Sequence, residues 1–319
     1  MKVFVDADTL LYSAAAVNEE RSIVVTHEPT SIEKQFKTRT EFKKYMQEKD
    51  KQITPDYVIK DVQTASPVEN ALHSVKLSAE GIISRFDFCD VTFVAGDSNN
   101  FRRDLPLPKR YKSNRESTLR PVHLKACHAY LKAKYGSISA DTHECDDHVA
   151  ILAYEALSQG EDSCILAPDK DAKQFVGMKI GDYSTELDQL FNIQVMHDIE
   201  LVERSFKSYG IPWIAYQWLV GDPSDVYKPT DLTKTKYGDT ACYKDLVTCK
   251  TPQEILLKVQ EKYKQWYPDK FTYVAWDGVT HEADWKSMLE LYFRCAKMKE
   301  SMDDQLIAGE FFDKYGVVL

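Results

Sequence analysis

The sequence predicts an α/β protein with a central, mostly parallel sheet flanked by helices, followed by a helical C-terminal region. Three observations predict this fold class. At the N-terminus the short apolar strand KVFVD leads directly into the helical pattern TLLYSAAAV. Three predicted strands are followed at once by acidic residues. In open parallel sheets, ligands bind outside the carboxyl ends of the strands, which is where these acidic residues would lie. From Asp198 onwards the pattern turns helical.

Length and composition bound the possible classes. The 319 residues suffice for one large or two modest domains, and a hydrophobic content of 43% is ordinary for a globular protein. No apolar stretch approaches the roughly 20 residues that span a bilayer, and the acidic N-terminus does not resemble a secretory signal. The seven cysteines never form C-x-x-C, which argues against a disulfide framework or a zinc ribbon. We expect a cytoplasmic protein with no membrane partner.

The first half of the chain alternates strands and helices. SIVVTH (22–27) predicts a strand, and 34–51 predicts a charged, solvated helix. A helical pattern runs over 67–86, and DVTFVAGD (90–97) is a strand that ends in an acid. Segment 98–120 combines Asn, Ser, Pro and basic residues with little apolar periodicity, so we expect it to be exposed or mobile.

The second half continues the alternation. A helix is predicted over 121–135, HECDD (143–147) opens the next one, and SCILAP (163–168) is a strand that leads into DKD. MKIGDYS with LFNIQVM indicates a hairpin or a sheet edge. A second, helical region is expected to start near residue 210.

Acids that follow predicted strands form the first candidate site. They are Asp6, Asp97, Asp169 and Asp171. Because the carboxyl ends of parallel strands meet at one edge of a sheet, these side chains should converge there. Taken singly, an acid after a strand is more often an ordinary turn residue.

Acids at helical spacing extend this candidate site. Glu144 and Asp147 lie three residues apart and share one helix face, whereas Asp146 points away unless the first turn presents its end to the site. Asp222 and Asp225 in GDPSD repeat the spacing. Each acid at a helix start also has an ordinary explanation, because it stabilises the helix dipole by about 0.3–1 kcal/mol.

A cluster of these acids requires positive charge. Two like charges about 4 Å apart repel by about 4 kcal/mol at an effective dielectric near 20. Oxygen ligands without a Cys/His set favour Mg²⁺ or Mn²⁺ over zinc, and two such ions can position the attacking water and the leaving oxygen of a phosphodiester. His143 and His148 are adjacent, but histidines in a satisfied or solvent-facing role are more common than ligands.

A basic segment follows Asp97 on a chain whose net charge is −9. Residues 102–134 contain ten basic residues and only two acidic ones, Asp104 and Glu116. The basic residues are Arg102, Arg103, Lys109, Arg110, Lys112, Arg115, Arg120, Lys125, Lys132 and Lys134. Arg and Lys hold phosphates and stabilise the charge that develops during displacement. Lys112 and Arg115 in RYKSNRE are the expected phosphate contacts, although a solvated basic loop is the simpler alternative.

With these motifs assembled, the chain resembles the flap endonuclease and 5′-3′ exonuclease family, most closely its bacteriophage branch that removes RNA primers (a ribonuclease H-like activity) or digests duplex DNA from a 5′ end. VFVDAD resembles the first acid of the family, and FVAGDSNNFRRDLPLPKRYKSNRE its second acid with an Arg and a Tyr-Lys-x-x-Arg element. HECDD resembles E-A-D-D, PDKD resembles D-x-D, and GDPSD resembles G-D-x-x-D. The resemblance covers residues 1 to about 246, except 19–70.

The resemblance implies a PIN-like 5′-nuclease fold, two Mg²⁺ ions for which Mn²⁺ can substitute, and roles for individual residues. The implied metal ligands are Asp6, Asp97, Glu144, Asp146, Asp147, Asp169, Asp171, Asp222 and Asp225. The implied catalytic residues are Lys112, Arg115, Asp146 and Asp169. The implied nucleic-acid contacts are Arg102, Arg103, Lys109, Arg110, Tyr111, Lys112, Arg115, Lys228, Lys234, Lys236 and Gly238.

It also implies a division of the chain and a set of partners. Residues 1–210 would form the metal-dependent nuclease core, with a basic arch at 98–120, and residues 211–319 a helical DNA-binding region with a helix-hairpin-helix-like element. The substrate would be DNA or an RNA–DNA hybrid with 5′ ends or flaps, cleaved by a monomer. A single-stranded-DNA-binding or replication protein is a further expected partner, in the infected host cytoplasm if the source is viral.

Two features depart from the family pattern. The family's glycine-rich hairpin turn, which holds duplex backbone and often a potassium ion, retains only Gly238 in KPTDLTKTKYGDTA. Close backbone approach at such turns usually requires glycine, which puts the potassium site in question. Lys228, Lys234 and Lys236 can substitute through direct phosphate contacts. Asp8 is an additional acid relative to most members, and its role is open.

Two rival functions remain. VFVDADT also fits the D-x-D-x-T motif of haloacid-dehalogenase-type phosphatases, in which Asp6 would be the nucleophile and Asp8 the general acid. That alternative leaves HECDD and the basic segment unexplained. A non-catalytic nucleic-acid-binding relative is the other alternative, although no motif acid is replaced here.

Overall fold

The structure, a computed structural model, describes residues 1–96, 100–116 and 118–319. Its strands are β1 (Lys2–Asp6), β2 (Glu19–His27), β3 (Ile32–Phe36), β4 (Tyr57–Ala65), β5 (Asp90–Gly96), β6 (Ile138–Ala140), β7 (Ser163–Leu166), β8 (Lys179–Gly181), β9 (Phe191–Asn192), β10 (Glu200–Val202), β11 (Ser205–Lys207), β12 (Phe271–Val274) and β13 (Thr280–Ala283). Its helices are α1 (Asp8–Ala16), α2 (Arg39–Glu48), α3 (Val68–Arg85), α4 (Leu124–Tyr135), α5 (Cys145–Ser158), α6 (Ile211–Val220), α7 (Asp239–Leu246), α8 (Pro252–Trp266), α9 (Trp285–Ala296) and α10 (Ala308–Lys314).

The central sheet is mostly parallel, so the predicted fold class is confirmed. Its strand order is β6-β5-β1-β7-β8-β9, and only the β8–β9 pair is antiparallel. β1 lies between β5 and β7, and its residues Val3 and Val5 are completely buried. Helix α5 packs against β1, β5 and β7. The near-continuous apolar β1 is typical of a strand that is covered on both faces.

The chain divides into two compact units. The first comprises Met1–Asp8, Gly81–Thr118 and Tyr135–Leu319, and the second comprises Thr9–Glu80 and Leu119–Lys134. The second unit contains the antiparallel sheet β3-β2-β4 with α2. Its core residues are Ile23, Val25, Phe36, Phe42 and Met46. The proposed functional boundary at residue 210 stays a prediction.

The first unit has an aromatic core in its C-terminal part. Trp218 of α6 is completely buried, and its indole Nε1–H donates to the carbonyl oxygen of Leu289 at 2.9 Å. The hydroxyl of Tyr263 in α8 donates to the carbonyl oxygen of Trp218 at 2.7 Å. Buried aromatic side chains whose polar atoms are satisfied contribute large apolar areas without an unpaired donor. They fix α6, which precedes the GDPSD motif.

Three predictions of local structure were wrong. Residues 34–36 belong to β3, which pairs with β2, and not to the predicted helix. The region after Asp198 begins with the β10–β11 hairpin before α6, and β12–β13 interrupts the helices later. These strands are short, so their alternation is too brief to be distinguished from helical periodicity.

The expected exposure of segment 98–120 was also wrong in part. Leu105, Leu107 and Tyr111 are buried in the C-terminal core. The spacings of two and four residues between them match neither a strand nor a helix alone, so they produce no regular pattern. Among the described residues, no helix has the length and apolar character that a membrane span requires.

Candidate functional site

The acid at the end of β1 is held by a compact turn. Asp6 is 4% exposed, and its Oδ1 accepts the backbone N–H of Asp8 at 3.0 Å. Asp8 Oδ1 in turn accepts the backbone N–H of Gly96, at the end of β5, at 2.7 Å. A Cβ atom at Gly96 would lie 2.6 Å from Asp8 Oδ2, so a larger residue at this position would have to displace the Asp8 carboxyl group. Asp8, whose role the sequence left open, therefore lies beside Asp6.

Asp146 lies against the same group of acids. It is in the first turn of α5, and its carboxyl group is hydrogen-bonded to that of Asp6. Desolvation, with the negative charges of Asp6, Asp169 and Asp171, raises the pKa of Asp146 well above its usual range. The helix therefore presents its N-terminal end to the strand ends, which was the condition for Asp146 to join the site.

Asp169 and Asp171 follow β7 and complete this set. Asp169 Oδ1 accepts the backbone N–H of Asp171 at 3.0 Å. Asp171 is 6% exposed and accepts a hydrogen bond from the amide of Gln217 in α6. Burial and the charge of Asp169 raise the pKa of Asp171 to about 8. Desolvation and the charge of Asp6 likewise raise the pKa of Asp8 to about 6.

We call Asp6, Asp8, Asp146, Asp169 and Asp171 the acidic group. In the described ranges 1–96, 100–116 and 118–319, no Lys or Arg forms an ion pair with any of its members. Lys112 interacts electrostatically with Asp8, and Lys170 with Asp169 and Asp171, but the ion pairs of these two lysines are with other acids. Such an arrangement is costly unless a cation is bound.

The other predicted acids that the structure describes, Glu144, Asp147, Asp222 and Asp225, have cationic partners. Asp147 is completely buried, and both of its oxygens accept from Arg102, at 2.6 and 3.0 Å. Although burial opposes ionisation, the Arg102 charge holds the pKa of Asp147 below its usual value. Asp222 pairs with Lys170 at 2.7 Å. Burial opposes this charge as well, but the hydrogen bond from Lys170 lowers the pKa of Asp222.

Lys112 joins two of these acids. Its ammonium group contacts a carboxylate oxygen of Glu144 and lies 3.6 Å from that of Asp225. Although burial opposes the charge, Glu144 and Asp225 raise the pKa of Lys112. The Tyr111 hydroxyl donates to Asp225 at 2.6 Å, and Arg115 pairs with Asp225 at 3.0 Å. The Tyr-Lys-x-x-Arg element therefore lies directly on the predicted acids.

Three further candidate residues are Asp97, His143 and His148. Asp97 lies outside the described residues. His143 and His148 contact each other, with Nε2 of the first 2.7 Å from Nδ1 of the second and the two rings stacked. Burial lowers the pKa of both rings. They satisfy one another as a neutral pair, which agrees with the ordinary role expected of them.

The donor set of the acidic group fits a hard divalent cation. Asp6, Asp8 and Cys145 each offer a ligand atom, and these atoms all lie within 4.8 Å of one another. Burial raises the pKa of the Cys145 thiol well above its usual range, and the thiol donates to the carbonyl oxygen of Val94 at 3.2 Å. A protonated thiol is a poor ligand, so the carboxylate oxygens remain, and these suit Mg²⁺ or Mn²⁺.

The predicted nucleic-acid contacts differ in exposure. Lys109, Lys228, Lys234, Lys236 and Arg115 are exposed. Arg103, Arg110 and Lys112 are partly exposed, as is Gly238, which precedes α7. Arg102 and Tyr111 are buried and bound to protein partners. A direct phosphate contact by these last two residues does not agree with their burial.

Three residues at the site escaped the sequence analysis. Lys170, the partner of Asp222, is the central residue of the DKD motif, so a signal was present. Gln217 lies within an apolar helical pattern and carries no signal. The hydroxyl of Tyr183 donates to the carbonyl oxygen of Asp6. It follows β8, the strand next to β7, and only the sheet order brings it near β1.

Comparisons with known proteins are sparse. No family model matches the chain, and no curated protein matches it. Among solved structures it is similar to the T5 D15 protein co-crystallised with metal ions, at 13% identity and a TM-score of 0.44. That match covers 92% of this chain and 86% of the other.

Proposed function

We propose that the protein is a Mg²⁺- or Mn²⁺-dependent nuclease that hydrolyses phosphodiester bonds near the 5′ ends of DNA or of RNA–DNA duplexes. The observation that carries this proposal is the acidic group, which has no ion-pair partner among the residues that the structure describes, next to acids that are paired with Lys112 and Arg115. Carboxylates that need divalent cations, adjacent to cations that can hold phosphate, are what two-metal phosphodiester hydrolysis requires.

The acidic group would hold the divalent ions, together with Asp97 as the sequence resemblance implies. When bound, such ions lower the pKa of water and neutralise charge on a phosphate. Glu144, Asp222 and Asp225, although paired with Lys or Arg, border the same group and would complete it. Asp147 is left out of this assignment because Arg102 occupies both of its oxygens.

The protein's own cations would orient the substrate. Arg115 has a side chain that is 55% exposed, and Lys112 is 12% exposed. Each can exchange a carboxylate oxygen for a phosphate oxygen with little movement, because both groups accept the same charge-assisted hydrogen bonds. Arg102 instead fixes Asp147 and the first turn of α5, so it would position Asp146 without touching substrate.

The preference for 5′ ends, the helix-hairpin-helix element, the cleavage of flaps and a part in bacteriophage primer removal rest on the sequence resemblance. So do a monomeric state, a cytoplasmic location and a partner that binds single-stranded DNA. These form the finer part of the proposal. Side-by-side digestion of 5′-labelled RNA–DNA hybrid, flap and nicked substrates would rank them by product length.

The central test is loss of cleavage without loss of binding. Asp146→Asn and Asp169→Asn should each reduce Mg²⁺-dependent release of a labelled 5′ nucleotide from duplex DNA by at least about 100-fold, because each removes a metal-binding charge. Affinity for the duplex, measured without Mg²⁺, should stay within about threefold. Asp162→Asn, at an exposed acid that pairs with Lys179, is the matched control. Wild-type turnover in Asp169→Asn would contradict the assignment.

One observation favours a second candidate function. A pKa of about 6 for Asp8, beside Asp6, suits a general acid of a phosphatase in which Asp6 is the nucleophile. Incubation with p-nitrophenyl phosphate separates the two functions. Turnover through an acid-stable aspartyl-phosphate at Asp6 would support the phosphatase, whereas cleavage of DNA without a covalent intermediate would support the nuclease.

A further inference from the structure

The β12–β13 hairpin carries an exposed apolar tip. Its turn spans residues 275–279, where the backbone N–H of Ala275 donates to the carbonyl oxygen of Val279 at 2.9 Å. Val274, Trp276 and Val279 are 59%, 36% and 50% exposed, respectively. A tip with three exposed large apolar side chains is unusual for a surface turn, because such turns normally carry polar residues.

The hairpin holds the start of the basic segment through three successive carbonyl groups. Trp276 Nε1–H donates to the carbonyl oxygen of Leu105 at 3.0 Å, and its backbone N–H donates to that of Leu107 at 2.9 Å. The hydroxyl of Tyr273 donates to the carbonyl oxygen of Pro106 at 2.7 Å. The indole N–H and the backbone N–H of Trp276 are therefore both held by hydrogen bonds. Because the side chain is already ordered, binding of a ligand to its ring would cost little conformational entropy.

The exposed ring is also combined with positive charge. The guanidinium carbon of Arg110 lies 4.6 Å from the centroid of the Trp276 ring. Arg110 pairs with Glu116 at 2.8 Å, but the two side chains are 38% and 52% exposed, and ion pairs at the surface contribute little. Lys109, the preceding residue, is 62% exposed and pairs with Asp231 at 2.8 Å. Rigid aromatic rings with adjacent Arg and Lys are the combination on which single-stranded nucleic acids stack their bases.

The residues that follow Arg110 in the chain contact the predicted acids. Arg110 is followed by Tyr111 and Lys112, which contact Asp225 and Glu144. Two residues of chain span at most about 7 Å, so the backbone of Lys112 lies close to that of Arg110, whose guanidinium group contacts the ring. A single-stranded nucleic acid, in which flat bases alternate with phosphates, matches this arrangement, because a base can stack on the aromatic ring and a phosphate can pair with a cation.

We propose that Trp276 and Arg110 form a stacking site for an unpaired nucleobase of a single-stranded end. This proposal rests on the proposed nuclease function and specifies a contact for its substrate. It predicts tolerance of base identity, because every base presents a π-face. The site should distinguish substrates with a single-stranded extension from fully paired ones.

The test compares binding of two DNA duplexes, one with a 5′ single-stranded extension and one with blunt ends, in EDTA to prevent cleavage. Trp276→Leu should weaken binding of the extended duplex by about 10-fold and leave the blunt duplex within twofold. Trp276→Phe, which keeps a ring but not the indole N–H, should recover most of the loss. Phe88→Leu, at an aromatic side chain that is 99% exposed on another loop, is the control.

A second measurement uses the wild-type protein and does not depend on variants that fold. 2-Aminopurine placed in the extension should lose fluorescence on binding, whereas the same base in the duplex should not. Unchanged fluorescence, or equal weakening of both duplexes by Trp276→Leu, would overturn the stacking site and leave the tip for another occupant, such as a partner protein. If the wild type cleaves no substrate but the extension still binds through Trp276, the nuclease proposal fails and the stacking site stands.

Discussion

Arg102 retains its charge in the interior because every direction of its guanidinium group has an acceptor. Besides Asp147, it donates to the carbonyl oxygens of Arg294 at 3.1 Å and Lys297 at 2.8 Å. These two carbonyls belong to the end of α9 and the segment after it. One side chain therefore connects the first turn of α5 to the C-terminal part of the chain.

This arrangement makes Arg102 important for stability. Arg102→Met should lower the free energy of unfolding by about 3–5 kcal/mol, because Asp147 would remain buried without its partner. Urea denaturation measures the change. Lys179→Ala, which removes the exposed partner of Asp162, should cost less than about 1 kcal/mol. Equal stabilities for the two variants would show that the buried pair contributes no more than a surface one.

At the scale of secondary-structure elements, the site forms where β1, β5 and β7 end and where α5 begins. Asp6 is the last residue of β1, Asp169 follows β7, and Asp146 is in the first turn of α5. The N-terminal end of a helix favours negative charge, which partly offsets the repulsion among these side chains. The same geometry crowds buried carboxyl groups together, which raises the pKa values of Asp8, Asp146 and Asp171.

The raised pKa values predict an unusual dependence of stability on pH. The folded pKa values of Asp8, about 6, and Asp171, about 8, lie above the unfolded value near 3.9. The folded chain therefore holds more protons, so without divalent ions the free energy of unfolding should fall as the pH rises from about 4 to about 8. Mg²⁺ should raise the melting temperature more at pH 8 than at pH 5.

Thermal melts in EDTA and in Mg²⁺ at these two pH values test this prediction. In EDTA, Asp171→Asn should reduce the decline of the melting temperature with rising pH, because Asp171 has the higher pKa of the two carboxyl groups. Melting temperatures that do not respond to pH or to Mg²⁺, in the wild type and the variant alike, would contradict the proposed metal site.

At the scale of the whole molecule, a net charge of −9 coexists with local positive charge. Lys228, Lys234 and Lys236 are exposed in the segment between α6 and α7. Association with nucleic acid depends on where charge lies rather than on its total. An acidic protein can therefore bind DNA through a limited positive surface.

That surface should produce a steep dependence of DNA affinity on salt. Replacing Lys228, Lys234 and Lys236 by Ala should reduce the slope of log affinity against log salt concentration by about 2–3, since each lost phosphate contact lowers the slope by about one. Fluorescence anisotropy between about 50 and 200 mM salt measures it. The triple Ala variant of Lys43, Lys49 and Lys51, exposed lysines in and after α2, is the control. An unchanged slope would remove these lysines from the binding surface.

Local patterns predicted the elements that carry the site. The strand before Asp6, the helix after Glu144 and the strand before Asp169 all lie where periodicity indicated. Runs of apolar residues that end in a polar turn are visible without knowledge of the neighbours. The hairpins β10–β11 and β12–β13 were missed because short strands depend on their partners for stability rather than on a long pattern of their own.

The pairing of charges depended on tertiary structure. Helical spacing in HECDD placed Asp147 with Glu144 and made the place of Asp146 conditional, whereas in the structure Asp146 lies against other carboxyl groups and Asp147 binds Arg102 in the interior. Likewise, Tyr111 and Trp276 acquire their roles from residues more than 100 positions away in the chain. Residue types and spacing establish that acids gather at the strand ends, but which of them remain without a partner depends on the positions of distant cations, since electrostatic interactions act through space.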